Sequence, residues 1–141
     1  MLRRKTATYA LLAIYEIAQQ QTESSVSSGV RAGDIAHKHK LPKAYAAKIL
    51  SQLANVGILR SDRGPRGGFR LNRTPDEISL FDVFDGVGAI STFDKKDDAV
   101  KGMPPTVQAV LSKAHQDAAA KLKDLFVQTS LNEVLGNGQK D

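Results

Sequence analysis

The 141-residue chain has no cysteine and no tryptophan, and only 6% of its residues are aromatic. Without a thiol it makes no disulfide, binds no metal through sulfur and has no cysteine nucleophile. Its three histidines do not fill the gap. His37 and His39 are two apart, a spacing that separates them around a helix, and His115 lies far off in sequence. No metal site and no cofactor are expected. Long apolar runs are missing too, since no stretch approaches the ~18 residues of a membrane span. Arg3, Arg4 and Lys5 followed by apolar residues 7–15 have the outline of a signal peptide. Glu16 interrupts it early, and no small-residue cleavage pattern follows in residues 17–21. The expected location is the cytoplasm, with no membrane partner.

Catalytic patterns are also wanting. No Ser/His/Asp set falls at a recognised motif, and no loop carries the G-K-[ST] or G-x-G-x-x-G pattern of a nucleotide site. Asp82 and Asp85, three apart, read as the charged outer face of an apolar helix. The chain is not expected to be an enzyme.

What the chain does have is an uneven charge. Residues 1–75 carry thirteen Lys and Arg against four Asp and Glu, whereas residues 76–141 carry seven against eleven. A basic half joined to an acidic half suits a first part that meets a polyanion and a second that faces solvent or protein.

Apolar periodicity predicts helices. Ala7, Ala10, Leu11, Ile14, Ile17 and Ala18 mark a first helix over residues 6–20, and polar, serine-rich residues 21–29 read as a loop. Residues 32–38, with Ile35 and Ala36 inward, and residues 43–56, with Tyr45, Ile49, Leu50 and Leu53 inward, form a short pair. Leu41 packs in their turn and Pro42 opens the second helix, as in a helix-turn-helix. Gly57 ends that helix in a left-handed conformation, and Ile58-Leu59 and Phe69-Leu71 become the arms of a hairpin. Its tip, Arg63-Gly64-Pro65-Arg66-Gly67-Gly68, bracketed by Arg60 and Arg70, is narrow and positive enough to enter a phosphate-lined groove.

Residues 76–87 read as a fourth helix and residues 86–105 as a long loop. Thr106 is the expected N-cap of a final helix reaching about residue 130, and residues 131–135 suit one last turn. Along that helix Val107, Leu111, Ala114, Ala118, Leu122 and Leu125 follow a four-three repeat, a narrow stripe that calls for a partner helix from a second copy.

Tyr9-Ala10-Leu11, then Tyr45, Lys48-Ile49-Leu50 and Leu53, and above all Ser61-Asp62-Arg63-Gly64-Pro65-Arg66-Gly67-Gly68-Phe69-Arg70-Leu71 resemble the Rrf2 (BadM-type) family of bacterial transcription regulators. Residues 75–80, Pro-Asp-Glu-Ile-Ser-Leu, extend the resemblance, which spans nearly the whole chain. It implies a mainly α fold with a β-hairpin wing. Residues 1–87 would be a winged helix-turn-helix DNA-binding domain, 88–105 a loop that holds the effector or cluster region in relatives, and 106–141 a dimerisation helix and tail.

The function implied is that of a homodimeric, sequence-specific regulator of double-stranded operator DNA, with repression the expected mode. The family places its third helix in the major groove and its wing in the minor groove. Carried over, Lys43, Ala44, Tyr45 and Lys48 lie on or near the recognition helix, and Arg60, Ser61, Arg63, Arg66, Gly67 and Gly68 in the wing. Lysines and Arg60 neutralise phosphates, while Arg63 and Arg66 sense minor-groove width. Many relatives carry Leu-Glu after the tyrosine where this chain has Ala46-Ala47, so a carboxylate able to accept from cytosine is absent. Cluster-binding members hold iron–sulfur with three cysteines in the stretch matching residues 89–103. This chain has none there, so its signal is a small molecule, a partner protein or nothing. The alternative function is a protein-interaction module that signals through a partner, although the basic wing speaks for DNA.

Overall fold

The structure, a computed structural model, describes residues 2–23, 29–65, 67–90 and 101–136. Among these residues six α-helices and one hairpin follow in the order α1 (Arg4–Glu23), α2 (Ala32–His39), α3 (Lys43–Asn55), β1 (Leu59–Asp62), β2 (Gly68–Leu71), α4 (Leu80–Gly86), α5 (Pro105–Gln128) and α6 (Leu131–Val134). A 3-10 turn at Pro75–Glu77 precedes α4. Among the described residues no helix is long and apolar enough to cross a membrane.

The core lies where α1 crosses α3 and the hairpin. Ile14 and Ile17 of α1, Ile35 of α2, and Ile49, Leu50 and Leu53 of α3 are all fully enclosed. Ala10 and Ala13 of α1 are buried as well, and their small side chains let neighbouring helices approach closely. The expected inward face of α1 was right in period but omitted Ala13, and the helix runs on to Glu23 rather than stopping at residue 20.

One charged side chain is buried in this layer. Glu16 is 5% exposed, and its carboxylate accepts from Gln20 Nε2 at 3.0 Å and Lys38 Nζ at 3.0 Å, with His39 Nε2 at 3.3 Å. The cluster ties α1 to the end of α2. Hydrogen bonding from Gln20 lowers the Glu16 pKa below its ordinary 4.5; burial opposes this, and Lys38 and His39 add to the lowering. A depressed folded-state pKa contributes stability that is complete above the unfolded value and disappears as pH falls through the folded one. Glu16→Gln is therefore expected to lose about 1–3 kcal/mol at neutral pH. Urea melts across acid pH should show the wild-type advantage shrinking below about 4.5, and a constant difference over that range would contradict the assignment.

The α2–α3 turn is reached through Lys40 in the left-handed region (φ 56), where its N–H caps Ala36 O, while Leu41 N also donates to Ala36 O at 2.8 Å. It is the one non-glycine with positive φ among the described residues. α3 closes as the sequence predicts. Gly57 (φ 81) donates to Ala54 O and Ile58 to Leu53 O, which satisfies two terminal carbonyls and turns the chain into β1.

β1 and β2 pair antiparallel in the register Leu59↔Leu71, Arg60↔Arg70, Ser61↔Phe69, Asp62↔Gly68. A single β-bridge lies beside them, unforeseen in the sequence. Val30, just after the expected loop of residues 21–29, exchanges both backbone hydrogen bonds with Phe69, at 3.0 and 2.8 Å, and borders the wing.

The expected fourth helix over residues 76–87 is two pieces. Ile78 (φ −110, ψ 124) and Ser79 are extended, and Ser79 then caps α4 through a reciprocal capping box with Asp82. The break has a purpose. Ile78 O accepts from Leu131 N at 2.7 Å and Leu80 N donates to Thr129 O at 2.9 Å, so the C-terminal segment pairs across the gap that a continuous helix would close. The N-cap of α5 is Pro104 rather than Thr106, because Pro105 already fits the first helical position, where its missing N–H costs nothing.

Candidate nucleic-acid interface

α3 turns Ile49, Leu50, Leu53 and Ala46 inward, which leaves Lys43, Ala44, Lys48 and Ser51 on its exposed side. Tyr45 is placed differently from the other recognition-helix residues. It is half-buried, its hydroxyl lies 2.9 Å from Thr6 Oγ1, and its ring meets the Tyr9 ring edge-on at 5.4 Å. Tyr45 thus fixes α3 against α1, and the solvent-facing crest belongs to Ala44, Lys48 and Ser51.

In the wing, Ser61 and Arg63 are exposed. Arg66 lies outside the described residues. Arg60 is an exposed strand residue opposite Arg70, a like-charged pair that is unfavourable on its own. Asp62 offsets it: Arg70 Nε lies 2.7 Å from Asp62 Oδ2 and Arg60 Nε 4.0 Å from the same oxygen. Arg70, which brackets the tip in sequence, is only 8% exposed and serves the wing's interior.

Gly67 and Gly68 act through their backbone. A Cβ on Gly67 would stand 2.5 Å from Asp62 O, and one on Gly68 (φ 135) would stand 2.8 Å from Val30 N. Gly29 is the reciprocal case, its added Cβ falling 2.8 Å from Gly68 N. Arg31, absent from the sequence reading, donates from Nη2 to Pro65 O at 3.0 Å and ties the tip to the start of α2. Between these parts lies a groove of about 470 Å³, whose lining includes Arg31, Lys43, Gly64 and Gly67. The helix-turn-helix and the wing thus border one cleft.

α5 carries no buried residue. Its C-terminal end is held by Phe126 edge-on to Phe84 at 4.9 Å and by Lys123 over Phe81 at 5.0 Å. Val107, Val110, Leu111 and Leu125 are exposed, Ala114 is exposed, and Ala118 and Leu122 are half-buried. The four-three stripe and the docking side through Phe126 lie about 100° apart around the helix, so one end of α5 is anchored while the stripe still faces outward. Phe126, which does the anchoring, falls outside the stripe read from the sequence. In the expected effector loop, residues 91–100, Phe93 included, lie outside the described residues.

Helix pair, hairpin wing and outward cations together define a winged helix-turn-helix protein. The profile of the Rrf2 family, described as iron-dependent transcriptional regulators, matches residues 3–137, and the chain belongs to that family. It is 34% identical over 88 residues to an HTH-type transcriptional regulator of Aquifex aeolicus, covering 62% of this chain and 58% of that protein. To the HTH-type transcriptional regulator IscR of Aliivibrio salmonicida it is 27% identical over 132 residues, 90% of this chain and 73% of that one. With relatives such as those of Aquifex aeolicus (58%) and Lactococcus lactis (46%), the match spans about half of their length. The fold is that of the solved CymR, the global cysteine regulator of B. subtilis, with a TM-score of 0.63 at 20% identity over 96% of this chain and 95% of that one.

Iron in this family's description raises the question of a site. With no cysteine in the chain and no group of three His, Cys, Asp or Glu placed to hold a metal among the described residues, the donors do not fit a thiolate-ligated iron–sulfur cluster.

Proposed function

We propose that the chain is a cytoplasmic, sequence-specific regulator of transcription that binds double-stranded operator DNA as a homodimer, represses, and does so without an iron–sulfur cluster. In this reading residues 1–87 bind DNA, 106–141 pair the subunits, and 88–105 receive any small-molecule or protein signal. The observation that carries it is the distribution of ion pairs. Lys38, Arg60, Arg70, Arg73 and Lys113 each lie within 4.0 Å of a carboxylate. Lys43 and Lys48 on the outward side of α3 and Arg63 in the wing are exposed and have no carboxylate partner among the described residues. Cations left unmatched on one surface suit a polyanion.

Lys43 and Lys48 supply phosphate contacts, and Arg63 and Arg66 enter the minor groove, with Ser61 and Arg60 along the strand. Ala44 offers an apolar contact of the kind made with a thymine methyl group. Binding of the purified chain to the promoter upstream of its own gene, followed by mobility shift across a salt series, tests the reading. Arg63→Ala is expected to cost about tenfold or more in operator affinity. Salt-insensitive or sequence-indifferent wild-type binding would instead favour the protein-interaction role.

A further inference from the structure

A second groove, of about 550 Å³, opens on the flank of α3 away from the wing. Among the described residues Arg3, Thr6, Ala44, Tyr45, Lys48 and Gln52 line it, and no carboxylate does. The wing-side groove, by contrast, includes Asp34 and Asp62. Arg3 is not on a loose end: its N–H donates to Ala89 O at 2.6 Å, and Leu2 bridges Ile90 just beyond α4. Neither Arg3 nor Lys48 has an ion-pair partner among the described residues. The Thr6–Tyr45 hydroxyl pair shares one hydrogen bond, so one of its two protons is left to donate outward.

A helix with its side chains is about 10–12 Å across and the major groove about 12 Å wide. A helix seated there has a sugar–phosphate wall on each side. The wing and Lys43 occupy one flank of α3. We propose that Arg3, with Lys48 and the Thr6–Tyr45 hydroxyls, is a phosphate-binding site for the opposite wall, so that cations grip the DNA backbone on both flanks of α3. The inference rests on the DNA-binding reading above and adds Arg3 to it. The ligand is the DNA backbone, because Ala44 and Lys48 belong both to this groove and to the exposed crest of α3. A backbone contact reads no bases, so its contribution is the same on any sequence.

The test is Arg3→Gln in the full chain, with Arg3→Lys beside it. Fluorescence anisotropy on the operator duplex and on an unrelated duplex, across a salt series, gives affinity and salt slope. In the proposed homodimer the substitution removes two phosphate contacts, one per subunit, which should weaken both duplexes alike, about sixtyfold at roughly 0.1 M salt, and reduce the log–log slope by about 1.8. Arg3→Lys should keep most of both. Arg3→Gln with wild-type affinity and slope overturns the second flank alone. A weaker Arg3→Gln with an unchanged slope also overturns it, because Arg3 would then act through folding or pairing. A wild-type chain that binds neither duplex overturns the DNA-binding reading and this site with it.

Discussion

Replacing Gly68 by alanine is expected to destabilise the folded protein by about 2–4 kcal/mol and to weaken operator binding by more than an order of magnitude. Two independent costs coincide at this position. Its φ of 135 lies where an L side chain is strained, and the added methyl carbon would stand 2.8 Å from backbone atoms of Gly29 and Val30. Relief requires the Val30 edge to separate from Phe69, which gives up the two hydrogen bonds that fix the wing. Gly64→Ala is the matched comparison. It also has positive φ (103) but nothing within 4 Å of the new atom, so it carries the strain without the collision. Gly29→Ala carries the collision without the strain. The Gly29→Ala/Gly68→Ala double variant should cost less than the sum of the singles, since both pry open one contact. Urea unfolding supplies the comparison, and a Gly68→Ala chain no less stable than Gly64→Ala would refute the packing account.

The second large effect concerns α5. In the proposed homodimer the outward stripe meets its copy, so glutamates at Val107 and Leu111 together would place like charges where two apolar rows close. Sedimentation should then find the variant monomeric where the wild type is dimeric. Operator affinity should drop by about 10²-fold or more, because two linked half-site contacts become separate ones. The anchoring of α5 by Phe126 against Phe84 lies at the other end of the helix, so circular dichroism should still show a folded chain. A monomeric wild type, or a dimeric variant, would exclude this pairing surface.

The parts of this fold that were legible in the sequence are those decided locally. The helices announce themselves by apolar spacing, and Gly57 marks the end of α3 because a left-handed residue is needed there. The hairpin follows from its glycine-rich tip. What was missed is decided by partners distant in sequence. Nothing near Val30 says that Phe69 will pair with it, so the bridge that borders the wing is not legible in the sequence. Apolar period runs unbroken through Ile78, Leu80 and Phe81, which hides the interruption at Ser79; the Ser79-x-x-Asp82 spacing was the available signal. At the interface, charge and exposure were readable, and the apolar period set Tyr45 inward, where it bonds Thr6, while the family resemblance alone turned it toward DNA. The sequence does not show that Arg70 turns in to Asp62 while Arg63 stays out.

The pairing of Ser79 with Ser130 has a mechanical consequence. It clamps the chain just past the C-terminal end of α5, a rod of 24 residues about 36 Å long, to the start of α4. A tilt of about 5° at the Phe84–Phe126 contact would sweep the far tip through about 3 Å. In a two-fold assembly joined along such rods, small adjustments at that hinge are geared up into changes in the spacing of the two reading heads, while the period of the double helix stays fixed.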